Sequence, residues 1–409
     1  MKKFSSYLIE EKNTHMEHIE DNVLNGGVQG ARESINFLRS LRDMLAGNAD
    51  AGVNVSVKWD GAPAIFAGTD PSDGQFFVAK KGVFNKNPKV YKTDADIDAD
   101  TSGDLNTKLK FALKYLPDLN IKGVIQGDFL FAKRDLKKQK VQGKSYITFH
   151  PNTIVYAVPT DVPLAREISK AKIGIVWHTT YSGTSFETMK ASFGKNIADS
   201  LTQSSAVWSV DAEYKDVSGN ATLTKDETKE ITAILSNAGK VFNKIDAAGL
   251  NGISDNNELL MRMKTFLNTK VRKQEKVTNV KKAVTDMIDY FHGYYQIETE
   301  KRKSEKGKAA VDERKKEVMK YFSNTNRKNL ENILILMNLM VDAKEILIKQ
   351  MNKVKGLDTF LLTDKGFKAT GQEGFVAIDR VGKNAVKLVD RMNFSYANFS
   401  PEVKKGWQR

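Results

Sequence analysis

The sequence predicts an α+β chain, mainly antiparallel sheet in two stretches with a large block of helices inserted between them. Short alternating apolar runs separated by turn residues fill residues 51–185 and return after 365. From about 220 to 355, apolar residues recur instead at spacings of three and four. Neither stretch holds a repeat or a low-complexity segment. One sheet-based domain interrupted by a helical insertion accounts for this order: a helical segment over 1–50, sheet over 51–218, the insertion over 219–362, and sheet again over 363–409.

Each element has a local reason. Ile35, Leu38, Leu41 and Leu45 share one helical stripe, which Gly47 ends. Val53-Asn54-Val55-Ser56-Val57 alternates as a half-buried strand does. The runs 64–67 and 75–79 follow, joined by the turn Asp70-Pro71-Ser72-Asp73-Gly74. Further strand-like runs are 123–126, 145–149, 153–158 and 173–177. Thr224-Lys225-Asp226-Glu227 has the spacing of a capping box and opens the helical block. Leu330, Ile333, Leu334, Met337, Met340 and Val341 mark the apolar face of its last long helix, a bundle seam. Residues 373–378 and 385–389, with a turn at 381–384, predict a hairpin.

Composition narrows the function. Zero cysteines among 409 residues exclude a disulfide framework, a thiolate metal site and cysteine nucleophilic catalysis. No apolar run approaches the ~20 residues that span a bilayer, and Glu10 and Glu11 arrive too early for a signal peptide, so a cytoplasmic protein is expected. The five histidines show no metal-ligand spacing, no nucleophile elbow is present, and no Gly-x-x-x-x-Gly-Lys-Ser/Thr forms a P-loop. Net charge is +14, and residues 262–355 hold 23 Lys/Arg against 12 Asp/Glu. That concentration predicts a polyanion partner, nucleic acid, at the insertion. Tyr290, Phe291, Tyr294 and Tyr295 lie within it and are expected in the bundle core.

The chemistry centres on Lys58-Trp59-Asp60-Gly61. A lysine at the end of a buried strand is an amine on a rigid element, and desolvation and neighbouring cations both push its pKa down from ~10.4 toward a nucleophile's range. Asp60 either anchors the lysine turn or holds a metal-bound water. Further along come Lys80-Lys81-Gly82 at a strand end, Gln126-Gly127-Asp128-Phe129, Ile175-Val176-Trp177, Glu373-Gly374-Phe375 and Val386-Lys387-Leu388-Val389.

In this order and spacing the segments resemble motifs I, Ia, III, IIIa, IV and V of the covalent nucleotidyltransferase superfamily, the ATP-dependent DNA and RNA ligases and the mRNA capping enzymes. The stretch around Lys58-Trp59-Asp60-Gly61-Ala62-Pro63-Ala64 also resembles uncharacterised proteins of large tailed phages. The resemblance covers roughly 51–185 and 366–392. It implies a nucleotidyltransferase (ATP-grasp-like ligase) fold in which Lys58 takes AMP from ATP. By the same resemblance Asp128 holds the ribose, Trp177 stacks on the purine, Glu373 holds Mg²⁺ or Mn²⁺ (Asp60 assisting), and Lys81 and Lys387 contact phosphate. An oxygen donor such as Glu373 suits those hard cations, and lysines where negative charge grows suit phosphoryl transfer.

Three departures stand out. Val389 occupies the usual second lysine of motif V, which Lys383 could replace; Lys80 and Lys81 stand where Arg is usual; Ala62-Pro63 follows the glycine. The short stretch after Lys387 points to an RNA-ligase-like or minimal ligase, with the insertion as clamp. The implied activity is DNA or RNA repair by a ligase, acting on a nicked duplex or RNA ends, in a host cytoplasm if phage-encoded. The alternatives are a nucleic-acid-binding phage protein with a decayed nucleotide pocket, and a nucleotidyltransferase with another acceptor.

Overall fold

The computed structural model describes residues 17–47, 53–193, 196–214, 221–354, 356–379 and 385–408. Among them fourteen strands form three sheets. In chain order these are β1 (Val53–Lys58), β2 (Ala64–Thr69), β3 (Phe76–Ala79), β4 (Val124–Ala132), β5 (Lys137–Val141), β6 (Lys144–Phe149), β7 (Ile154–Pro159), β8 (Ile173–Ser182), β9 (Lys190–Phe193), β10 (Val207–Asp211), β11 (Asp358–Thr363), β12 (Gly366–Ala369), β13 (Gly374–Asp379) and β14 (Ala385–Leu388).

The first sheet is ordered β1-β13-β14, and its antiparallel register sets Lys58 opposite Gly374. The second runs β10-β8-β4-β2-β3, with β9 on the edge of β8; its pairs are antiparallel except β10 with β8. The third, β12-β11-β7-β6-β5, is antiparallel throughout. Sheets that pair sequence neighbours through short turns follow from the alternating runs. The joins of β1 to β13 and of β7 to β11 are different: each pairs strands from either side of the helical block. The turn between β13 and β14, with Lys383, lies outside the described residues.

The helical stripe on Gly27–Leu45 buries Ile35, Leu38, Leu41 and Leu45. A helix with one apolar face needs a partner, and this one finds it in the inserted helices. Ile231, Leu235 and Ala238 of helix Lys225–Phe242, Leu330 and Met340 of helix Asn324–Met351, and Phe375, Ala377, Val386 and Leu388 of the first sheet all join the same core. The N-terminal helix and the insertion thus pack as one body against the sheet that carries Lys58. At their junction Lys344, 1% exposed, donates two 2.8 Å bonds to the carboxylate of Glu20. The Thr224 capping box forms, with Thr224 N donating to Glu227 Oε2 at 2.8 Å and Glu227 N donating to Thr224 Oγ1 at 3.2 Å. Among the described residues no helix is long and apolar enough to cross a membrane.

Candidate functional site

The β1–β13 pairing delivers the first two functional side chains to each other. Lys58 ends β1, Glu373 directly precedes β13, and the two form an ion pair whose side chains are 26% and 12% exposed. Burial alone would depress the Lys58 ammonium, but the Glu373 carboxylate and its hydrogen bond, helped by Asp128 and Asp60, hold it above its usual range. Glu373 moves the other way from an ordinary carboxylate. Burial pushes it up to about 7 against the pull of Lys58, and Asp60 and Asp128 add to the rise.

Gly61 closes the lysine turn for a steric reason. A Cβ at this position would lie 2.5 Å from the Asp128 Cβ, so only glycine lets the turn press against β4. Asp60 then fixes the turn from behind. Its carboxylate, 3% exposed, accepts from Asn152 Nδ2, Thr153 N and Ile154 N, each at 2.6 Å, while its own N–H donates to Tyr156 Oη at 2.7 Å. Both oxygens are therefore committed to N–H donors, a carboxylate arrangement worth more than neutral bonds. Of the two roles the sequence left to Asp60, the anchor is the one this geometry supports. As a metal donor Asp60 does not fit, whereas Glu373, an oxygen donor whose ion-pair partner is Lys58, does.

Asp128, on β4, feels both Lys58 and His178, and burial outweighs them and raises its carboxyl. His178, on β8, sets its Nε2 3.9 Å from Asp128 Oδ2 and its Nδ1 2.8 Å from Thr179 Oγ1. Burial, reinforced by Lys58 and opposed by Asp128, lowers its pKa and keeps the imidazole neutral. Sequence reasoning missed His178, though strand alternation points it away from its neighbour Trp177. Trp177 corrects an expectation. It is 0% exposed, packs in the core with Ile65, Leu109 and Ile125, and donates from Nε1 to Ser209 Oγ at 2.7 Å. Its ring is wholly enclosed by the core, so it offers no face to a purine.

Lys387 sits on β14, where Lys387 N donates to Glu17 O at 2.9 Å and Lys387 O accepts from Ile19 N at 3.4 Å, so the chain around His18 extends the first sheet. Burial lowers the Lys387 amine, and the charges of Lys58 and Lys81 lower it further against Glu373 and Glu17. Lys81, exposed at the start of a single 3₁₀ turn, thus reaches the same field. Its neighbour Lys80 is drawn off to Asp100 at 3.0 Å. Lys58 and Glu373 thus meet in an ion pair, Asp128 acts on both, and Lys387 shares their field, with Lys81 acting on Lys387; such a cluster of amines can neutralise charge growing on an anion. Val389, 2% exposed, belongs to the core.

The basic helices are more self-compensated than their composition suggests. Lys282, Lys301, Lys308, Lys316, Lys320 and Lys328 each pair with an acid three or four residues away. Phe291 and Tyr295 are fully buried, as expected of a bundle core, and the Arg262 guanidinium covers the Tyr294 ring at 4.1 Å. No curated protein and no solved structure matches the chain. A family model matches residues 13–404, almost its whole length, and the chain belongs to that family, DUF6267, a family of unknown function.

Proposed function

We propose that this chain is an ATP-dependent polynucleotide ligase built on a covalent nucleotidyltransferase domain and working in the cytoplasm, the host's if phage-encoded. The pairing of Lys58 with Glu373, from segments at opposite ends of the chain and with Asp128 and Lys387 in the same field, carries this reading. Lys58 Nζ, as the neutral amine, attacks the α-phosphorus of ATP. The N–P bond forms, the bond between the α- and β-phosphates breaks, pyrophosphate leaves, and the nitrogen gives up a proton to leave a lysyl-AMP phosphoramidate. AMP then passes to a 5′-phosphate end, and a 3′-hydroxyl displaces it to join the strands.

Electrostatics supplies a gate for the first step. While Glu373 is paired with Lys58, the amine is held protonated and unreactive. Once Glu373 is engaged elsewhere, Lys81 and Lys387 favour the neutral nucleophile and offset charge on the phosphates. Glu373 is the residue that fits Mg²⁺ or Mn²⁺, which when bound supplies positive charge beside the phosphates. Asp128, with His178 beside it, is the acceptor for ribose hydroxyls.

A second reading is a nucleic-acid-binding protein with a decayed nucleotide pocket. It draws on Trp177 and Val389, both turned into the core where the resemblance implies a stacking ring and a lysine. Incubation with α-labelled ATP and a divalent cation separates the two. The ligase reading expects acid-labile label on the protein that Lys58→Ala abolishes, and an unlabelled wild-type chain favours the decayed pocket. Label transfer to RNA ends or to a nicked duplex then names the acceptor.

A further inference from the structure

We infer that the segment bearing Phe399 and Trp407, with Arg272 against Phe399, forms a stacking platform for an unpaired nucleic-acid strand. The inference rests on the nucleic-acid half of the proposed function and not on its covalent step. Large aromatic side chains are normally buried, yet Phe399 is 60% and Trp407 61% exposed. The Arg272 guanidinium lies 4.6 Å from the centre of the Phe399 ring. Arginine planes and aromatic faces are the two surfaces on which unpaired bases stack, and arginine adds a charge for the backbone. Arg272 and the adjacent Lys273 are exposed, and neither has an ion-pair partner among the described residues. That sets them apart from the paired lysines further along the insertion. A cation on an exposed ring in a chain of net charge +14 fits a polyanion with flat bases.

Both rings are held in place by the segment that bears them. Thr153 Oγ1 donates to Asn398 Oδ1 at 2.6 Å, beside Phe399, and Gly406 N donates to Asn152 O at 2.7 Å, beside Trp407. The Lys405 amine, 7% exposed, donates to Ala397 O and ties the two anchor points together. A Cβ at Gly406 would strike the His150 carbonyl, so the segment presses directly on the 150–153 loop. Asn152 and Thr153 are also the residues that grip Asp60. The segment that bears the rings is therefore braced on the same loop that grips the turn presenting Lys58.

The test uses the full chain and a fluorescent oligothymidylate, single-stranded or as a blunt duplex, read by anisotropy. Phe399→Ala and Trp407→Ala should each weaken single-strand binding about tenfold, with duplex binding and the salt dependence unchanged. Trp407→Phe should retain binding, because a ring remains. Trp177 and Trp208 are buried and Trp59 is half-buried, so tryptophan emission should be quenched by the single strand and not by the duplex, and the quench should be lost in Trp407→Phe. Wild-type affinity in both alanine variants, an equal loss on duplex, or no single-strand binding at all would overturn the platform. Lysyl-AMP formation does not use these rings. Intact labelling with unaltered strand binding therefore refutes the platform alone, while ring-dependent strand binding without labelling refutes the ligase and leaves the platform standing.

Discussion

Replacing Asp60 by Asn separates the anchor from the metal donor that the sequence left open. The carboxylate gathers three N–H donors at 2.6 Å in a site 3% exposed. Hydrogen bonds to a charged group contribute about 1.5–3 kcal/mol each, and a buried donor left unmade costs about 1–3 kcal/mol. Asn retains one acceptor oxygen, turns an NH₂ toward a donor and carries no charge. One to two of the three bonds are lost, about 2–4 kcal/mol. Amide hydrogen exchange at Thr153 and Ile154 should accelerate at least about 30-fold, since each 1.4 kcal/mol is tenfold. The urea midpoint should fall with it, with or without a divalent cation. Unchanged exchange and midpoint, with a defect only in divalent-dependent activity, would refute the anchor and make Asp60 a ligand.

Glu373 makes stability depend on pH. Burial raises its pKa from 4.5 to about 7, so between those values the folded chain keeps a proton that the unfolded chain has released. The resulting stabilisation is complete below 4.5 and is lost as pH rises through 7, at most about 3 kcal/mol; Glu373→Gln should abolish this slope in urea midpoints taken on either side of the window. Lys344→Met leaves the buried Glu20 carboxylate with Arg391, 3.6 Å away, as its remaining ion-pair partner among the described residues and should cost up to about 3 kcal/mol in thermal unfolding, most of it recovered by adding Glu20→Leu. In the helical block Lys315 has no ion-pair partner among the described residues, whereas Lys316 bonds Glu313 at 2.8 Å. Lys315→Glu should therefore lower the salt slope of nucleic-acid binding by about 0.9 per lost phosphate contact and Lys316→Glu by less; equal slopes in both variants and wild type would retire the insertion as a contact surface.

Local pattern made much of this fold legible. The stripe Ile35–Leu45, the capping box at Thr224 and the strand runs around 64–79 depend on neighbours in sequence, and all fold as read. What sequence pattern cannot show is which face of a strand meets which element. Trp177 and His178 alternate on β8, and only the packed sheet decides that the indole turns to the core and the imidazole to Asp128. Lys58 and Glu373 were linked by resemblance alone, because no local signal announces that β1 will pair with β13. The grip of residues 152–154 on Asp60 left no trace for the same reason. Charge counting also overstated the free basic surface, since the i,i+3 acids that neutralise many of its lysines were legible in spacing but not in the net total.

Every step proposed for the site depends on Lys58 as the nucleophile. Peptide mapping by mass spectrometry after incubation with ATP and Mg²⁺ should find one AMP on the peptide that contains Lys58. Glu373→Gln should alter how fast the adduct forms, and Lys387→Ala should reduce it. An unmodified Lys58 peptide under those conditions, or AMP on a different lysine, would contradict the account.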